Sequence, residues 1–272
     1  MIYKAKSLLY FFYEDFRVME IPLKLFFVRL LCAFIPSKTA RKRIRERFLE
    51  KKHIIIEDIG KNTKIILPSS EIKGCIRIRT AGENNSVEIK NTADIDGIVD
   101  ISIFGNNCRI SIDEDVYTSG TLKIVCGQDH PNFGAVDNVK VSIGKGTSFE
   151  SVNFITYNSN TEISVGKDCM FAYDIVLYNT DAHPVYDVNT GTLINGVKDM
   201  IIADHCWIGM GALILKNVHL EHDTIVGAKS VVSKSFDEAF IAVAGNPAKK
   251  IKSGVTWARG DKRYIKNELS NL

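Results

Sequence analysis

The sequence predicts a mainly β fold, a solenoid of short strands wound into stacked coils, and three observations carry that expectation. From Ile202 an aliphatic residue returns every six positions, at Ile202, Ile208, Ile214, Leu220, Val226 and Val232. A second column of small or medium-sized residues, Cys206, Ala212, Val218, Thr224 and Ser230, follows four residues behind the first five. Upstream, "DNVKVSIGKGTSF" (137–149) aligns with "SNTEISVGKDCMF" (159–171) at a shift of 22. Neither a helix of 3.6 residues per turn nor a simple alternating strand produces a six-residue beat. A coil that points one aliphatic side chain inward per face does, with small residues at its tight corners and each coil burying its neighbour.

The elements follow in chain order. Residues 1–52 read as a basic amphipathic α-helical appendage. In "IPLKLFFVRLLCAFI" (21–35), Leu23, Phe26, Phe27, Leu30, Leu31 and Phe34 form one stripe at helical spacing, and Pro36 should end the helix. The stretch is too short for a membrane span, and Lys24 and Arg29 interrupt it. Residues 38–52 carry +6 of a chain total of +3, leaving the rest at −3, which excludes nucleic-acid binding by bulk charge. Two uses fit such a segment: packing on the main domain or another subunit, or peripheral anchoring with Arg and Lys on anionic headgroups. No secretory signal pattern is present, and six scattered cysteines suit reduced thiols, so the expected location is cytoplasmic, with peripheral association on the cytoplasmic face of the membrane.

Residues 53–252 form the predicted β domain. Its early coils, to about residue 140, depart from a strict hexad and are interrupted by "CGQDHPNFGAVD" (126–137). The beat then runs Ile143, Phe149, Ile155 and Val165, Phe171, Leu177, all expected to point inward. It breaks at 178–200, where "NTDAHPVYDVNTGTLINGVKD" is polar and turn-rich, and His183 falls where the next inward aliphatic would stand. A loop leaving a flat face makes a cleft, a sound place for chemistry. The tail, 253–272, with Trp257, Tyr264 and alternating charges, reads as a short C-terminal helix.

"IIADHCWIGMGALILKNVHLEHDTIVGAKSVVSK" followed by "AGNPAKKI" resembles the hexapeptide-repeat acyltransferases, in particular the sugar O-acetyltransferases of bacterial capsule, O-antigen and lipopolysaccharide loci. The resemblance spans roughly 60–257 and is strongest over 137–252. It implies a left-handed parallel β-helix, where chirality alone would favour right-handed crossovers. It also implies acetyl-CoA as co-substrate without a metal, a glycan or sugar acceptor, and a homotrimer with clefts between neighbouring prisms.

The site residues follow from chemistry and from this resemblance together. A sugar hydroxyl needs a base as it attacks, and imidazole titrates near working pH; the family's catalytic base, a His followed by Pro, corresponds to His183. Asp181 is a candidate to orient that ring. Asn153, thirty residues earlier in "SVNFIT", matches an acceptor-binding Asn of galactoside-type relatives. The resemblance gives oxyanion stabilisation to a backbone N–H of the "WIGMG" turn, that of Met210. Trp207 in the same turn would wall the pantetheine arm, Gly209 beside it is a further cofactor-binding candidate, and Gly227-Ala228 would let the arm approach the coil. Lys234, Lys249 and Lys252 match positions that meet the phosphates and adenosine end, with "AGNPAK" making the turn that sets Lys249.

Other readings use the same coil. One is N-acetylation of an amino sugar. Another is a carbonic-anhydrase-like enzyme with three His on a metal, for which His53, His130, His183, His205, His219 and His222 offer no ligand-like trio. A third is a non-catalytic scaffold, which needs neither the His-Pro loop nor "AGNPAK". His130-Pro131 is the rival pair for the base.

Overall fold

The structure is a computed structural model that describes residues 54–260 apart from 70, 71, 92 and 130–134. The amphipathic region 1–52, the His130-Pro131 pair and the tail beyond 260 lie outside the described residues. Among the described residues twenty-two strands, β1 (Ile54–Asp58) to β22 (Ala248–Ser253), wind into a parallel β-helix. Each strand pairs with its equivalent in the next coil, and only β22 turns back antiparallel on β21 (Ile241–Gly245).

In the last coils the winding is three-sided. One side stacks β12 (Glu162–Val165), β15 (Met200–Ile202) and β18 (His219–Leu220). The second stacks β13 (Met170–Phe171), β16 (Trp207–Ile208), β19 (Ile225–Val226) and β21. The third stacks β14 (Ile175–Tyr178), β17 (Leu213–Leu215) and β20 (Val231–Val232). Both sequence columns point inward here: Ile208, Ile214, Leu220 and Val232 are fully buried, and so are Cys206, Val218, Thr224 and Ser230. Three hexads make one coil, so His205 and Asp223 meet across a separation of 18.

Each corner is built by a residue with positive φ. Asn62, Asn84, Asn107, Asn138 and Asn160 share one corner, with φ of 55–58°. Asp115, Asp168, His205, Asp223 and Phe240 share the second, and Asp174, Gly211 and Lys229 the third. Asn and Asp tolerate this left-handed conformation because their short polar side chains bond locally. The side chains also bridge coils, as Asn138 Nδ2 does to Asn160 Oδ1 at 3.0 Å across a shift of 22.

The early coils escape the strict hexad for a visible reason. In β8 (Tyr117–Cys126) and β11 (Ser148–Thr156) the second and third sides merge into single long strands, while one coil above β5 (Asp94–Ile95) stays separate from β6 (Ile98–Asn106), which runs past the third side to pair with β9 (Val136–Asp137). Where the third corner would be, Gly74, Gly97 and Gly120 stack so closely that a Cβ on Gly97 would lie 1.9 Å from the Gly120 carbonyl oxygen. Register slips between Phe149 and Ser151 in β11. This corrects one inward assignment: Phe154 is buried and Ile155 lies on the outer surface, because β11 crosses the corner with one residue fewer than the coil below it. Phe149 packs against Phe171 at 4.9 Å and Phe154 at 5.9 Å between ring centroids, and each such buried ring contributes roughly 2–3 kcal/mol of apolar burial.

The described part of the C-terminal tail is not helical. After β22, residues 254–260 run back as irregular chain along the second corner. Trp257 Nε1 donates to the His205 carbonyl at 2.8 Å, and Arg259 donates to Ser148 Oγ and the Cys169 carbonyl. The five described cysteines are free, and burial pushes the Cys126 thiol well above its ordinary range.

Candidate functional site

The break in the beat is a hairpin arm. The coil from Cys169 to Cys206 takes 37 residues, and the excess leaves after β14. Asn179 closes the root: its side chain is fully buried and donates to the Lys198 carbonyl at 3.1 Å. Beyond it, Tyr186 and Leu193 pair antiparallel, and the Asp187 carboxylate accepts the N–H groups of Asn189 and Thr190 to make the tip. The arm carries Val185, Tyr186, Leu193 and Ile194 about half exposed and Val188 at 94 %. Apolar side chains held in water on a well-formed hairpin mark a contact surface.

His183 stands at the base of this arm, exposed rather than turned into the prism. It follows Ala182, which has a left-handed φ of 60°, and its N–H donates to the Asp181 carbonyl at 2.6 Å. Asp181 meets its own partners through Oδ2: Lys216 Nζ at 2.6 Å and Asn195 Nδ2 at 2.8 Å. Partial burial pushes the Asp181 carboxyl up, but the hydrogen bonds from Lys216 and Asn195 and the lysine's charge outweigh it and hold the group below its usual 3.8. Asn153 projects from the outer surface of β11, in register with Val176 below and Lys123 above, on the side that ends at the arm.

The remaining predicted residues gather at the opposite edge of that side. Met210 occupies the third corner, 47 % exposed, and its carbonyl accepts from Lys229 while its N–H donates to no described residue. Gly209 is buried directly beneath; a Cβ there would lie 2.7 Å from the Ala228 nitrogen, so close stacking alone demands glycine. Ala228 is exposed at the same corner. Trp207, 37 % exposed, lies on the second side in register with Met170 and Ile225. Lys249 and Lys252 are exposed on β22, beneath the same side, and form no ion pair among the described residues. The Gly245-Asn246-Pro247 turn between β21 and β22 sets them there. Lys234 is not with this group: it follows β20 at the arm's edge, over the Phe236 ring at 5.7 Å.

Three residues of the site were missed by sequence reading. Lys216 and Asn195 carry no motif signal, because only the folding back of the arm brings them to Asp181. Trp257 did have one, as the second of two tryptophans. Its ring stacks on His205 at 4.5 Å and lies 6.3 Å from Trp207, backing the proposed wall. Among the described residues no group of three His, Cys, Asp or Glu side chains is arranged to hold a metal.

No protein-family model matches the chain. Among curated proteins, a polysialic acid O-acetyltransferase of Neisseria meningitidis is 35% identical over 200 residues, covering 74% of this chain and 87% of that protein. A second, from Escherichia coli O1:K1, is 34% identical over 131 residues, covering 48% of this chain and 42% of that protein. Among solved structures, the polysialic acid O-acetyltransferase OatWY is 30% identical with a TM-score of 0.62, covering 80% of this chain and 99% of that chain. The polySia-specific acetyltransferase NeuO, at 24% identity and a TM-score of 0.67 over 81% of this chain and 99% of that chain, shares the fold.

Proposed function

We propose a mechanism from one premise: the chain belongs to the hexapeptide-repeat acyltransferases, with the sugar O-acetyltransferases of bacterial surface polysaccharides. It is an acetyltransferase that moves the acetyl group of acetyl-CoA to a hydroxyl of a surface-polysaccharide sugar. The family's left-handed coil sense is part of the same reading. So are residues 1–52 as a helical region on the trimer or on the cytoplasmic face of the membrane, and the placing of the enzyme in the cytoplasm.

In this reading His183 takes the proton of the acceptor hydroxyl as the oxygen attacks the thioester carbonyl carbon. The carbonyl oxygen becomes an oxyanion and accepts from the Met210 N–H. Collapse expels the coenzyme A thiolate, which takes the proton from the imidazolium and leaves base and thiol neutral. Trp207 walls the pantetheine arm, Ala228 and Gly209 leave room for it, and Lys249 and Lys252 meet the phosphates. Asn153 holds the acceptor. An anionic sugar polymer of the kind named for the relatives suits exposed Lys123, one coil above Asn153 and in no ion pair among the described residues.

The observation that carries the reading is the exposed His183 at the root of a hairpin arm, beside the side that bears Asn153. Met210 and His183 lie at opposite edges of that side, so the centre is completed by a neighbouring copy, the arm reaching across. That arrangement is a homotrimer with three shared sites. The test measures thiol release from acetyl-CoA with polysialic acid as acceptor. His183→Ala should lower kcat by about 10²- to 10⁴-fold; a kcat close to wild type would remove His183 from the mechanism.

A further inference from the structure

The arm is fastened at its root by two residues that neither the repeat nor the motif requires. Lys216 follows β17 with its side chain 18 % exposed, and its Nζ bridges Asp181 Oδ2 at 2.6 Å and the Asn195 carbonyl at 2.7 Å. Asn195 lies on the returning limb. Its Nδ2 donates to Asp181 Oδ2 at 2.8 Å and to the His183 carbonyl at 2.9 Å, and its Oδ1 accepts the Val185 N–H at 2.8 Å. The backbone on both sides of His183 is thereby tied to the coil through one lysine. Charge-assisted bonds of this length are among the stronger ones a partly exposed site can hold.

We infer that Lys216 and Asn195 are positioning residues for acetyl transfer: they clasp Asp181 and the two limbs of the arm, fix the backbone of His183, and balance the carboxylate beside the base. The inference rests on His183 as the base. Two physical consequences follow. A base displaced by about 1 Å from its attack geometry loses on the order of 10²-fold in rate. An uncompensated carboxylate two residues from an imidazole favours the imidazolium, which cannot accept the proton. The other titratable group facing Asp181 is Tyr178 at the end of β14, which burial pushes up, with Tyr157 beside it; neither supplies a cation.

The experiment compares kcat, both KM values and the pH dependence of kcat/KM in Lys216→Met, Lys216→Arg and Lys216→Met/Asp181→Asn. Lys216→Met should lose about 10- to 100-fold in kcat with KM for acetyl-CoA within about twofold. Its acid limb should move to higher pH by about one unit. Lys216→Arg should recover most of the rate, and the double variant should return the limb to its wild-type position. A merely structural lysine would leave the limb unmoved. Unchanged kcat and limb in Lys216→Met, or a shifted limb that persists in the double variant, overturns the inference. Should Lys216→Met not fold, Asn195→Ser reads the same loss of kcat on the other half of the clasp. Wild-type rates in His183→Ala would instead overturn the underlying mechanism, whatever Lys216 does.

Discussion

Mixing two inactive variants tests whether one reaction centre is shared between copies. His183 leaves the coil beyond the end of β14, while Met210 stands before the start of β17, so the length of that side lies between them. From Met210 to Lys216, where the arm is tied, the chain spans about 20 Å when extended. A general base and an oxyanion donor must both come within about 3 Å of the reacting atoms. In the proposed mechanism the imidazole of one copy therefore works with the Met210 N–H of the next. His183→Ala removes the proposed base, and Ala228→Trp fills the exposed corner proposed for the pantetheine arm; each alone should be inactive. When the two are co-expressed at equal levels, random assembly around a ring places an intact His183 against an intact corner at about one interface in four. Tandem purification by two tags removes the parental rings, and each mixed ring of three has one such interface, so the purified oligomers should release thiol at about a third of the wild-type rate per chain. Separately purified variants combined without subunit exchange should not. Activity in the mixed oligomers no greater than the sum of the parents would refute a shared centre and return the whole mechanism to one chain.

Two further predictions concern the scaffold. A Cβ on Gly120 would lie 1.6 Å from the Glu150 carbonyl oxygen, backbone that the next coil holds in place; Gly120→Ala should cost more than about 3 kcal/mol, and a urea midpoint equal to wild type would contradict the stacking described. The second concerns Asp223, which bonds His205 Nδ1 at 2.7 Å, His222 Nδ1 at 2.9 Å and Thr256 Oγ1 at 2.6 Å. Burial pushes its carboxyl up, but the bonds from His222, Thr256 and His205 prevail and hold it below 3.8. A carboxyl with a depressed folded-state value stabilises the fold above its unfolded value and loses that contribution as pH falls through the folded one. The stability gap between wild type and Asp223→Asn, read from urea unfolding, should be full at pH 6 and should shrink below about pH 4; a constant gap down to pH 2 would contradict it.

The hexad from Ile202 was legible because every sixth residue there faces the same interior under the same steric demand. The same logic failed at Ile155, since a six-residue count assumes a corner and β11 crosses that corner straight. The asparagines at 62, 84, 107, 138 and 160 were visible as residues, but their common role as a corner ladder appears only once the coils are stacked.

By itself the sequence determined the coil, its interior and the point where it breaks, because those depend on local spacing and on which side chains avoid water. It also marked His183 and the Trp207–Met210 turn, since short motifs carry their own geometry. Only the tertiary structure decided that Asp181 is held by Lys216 and Asn195, that Lys234 stands apart from Lys249 and Lys252, and that His183 and Met210 occupy opposite edges of one side. Those are relations between residues distant along the chain, set by how many residues each coil spends on its corners.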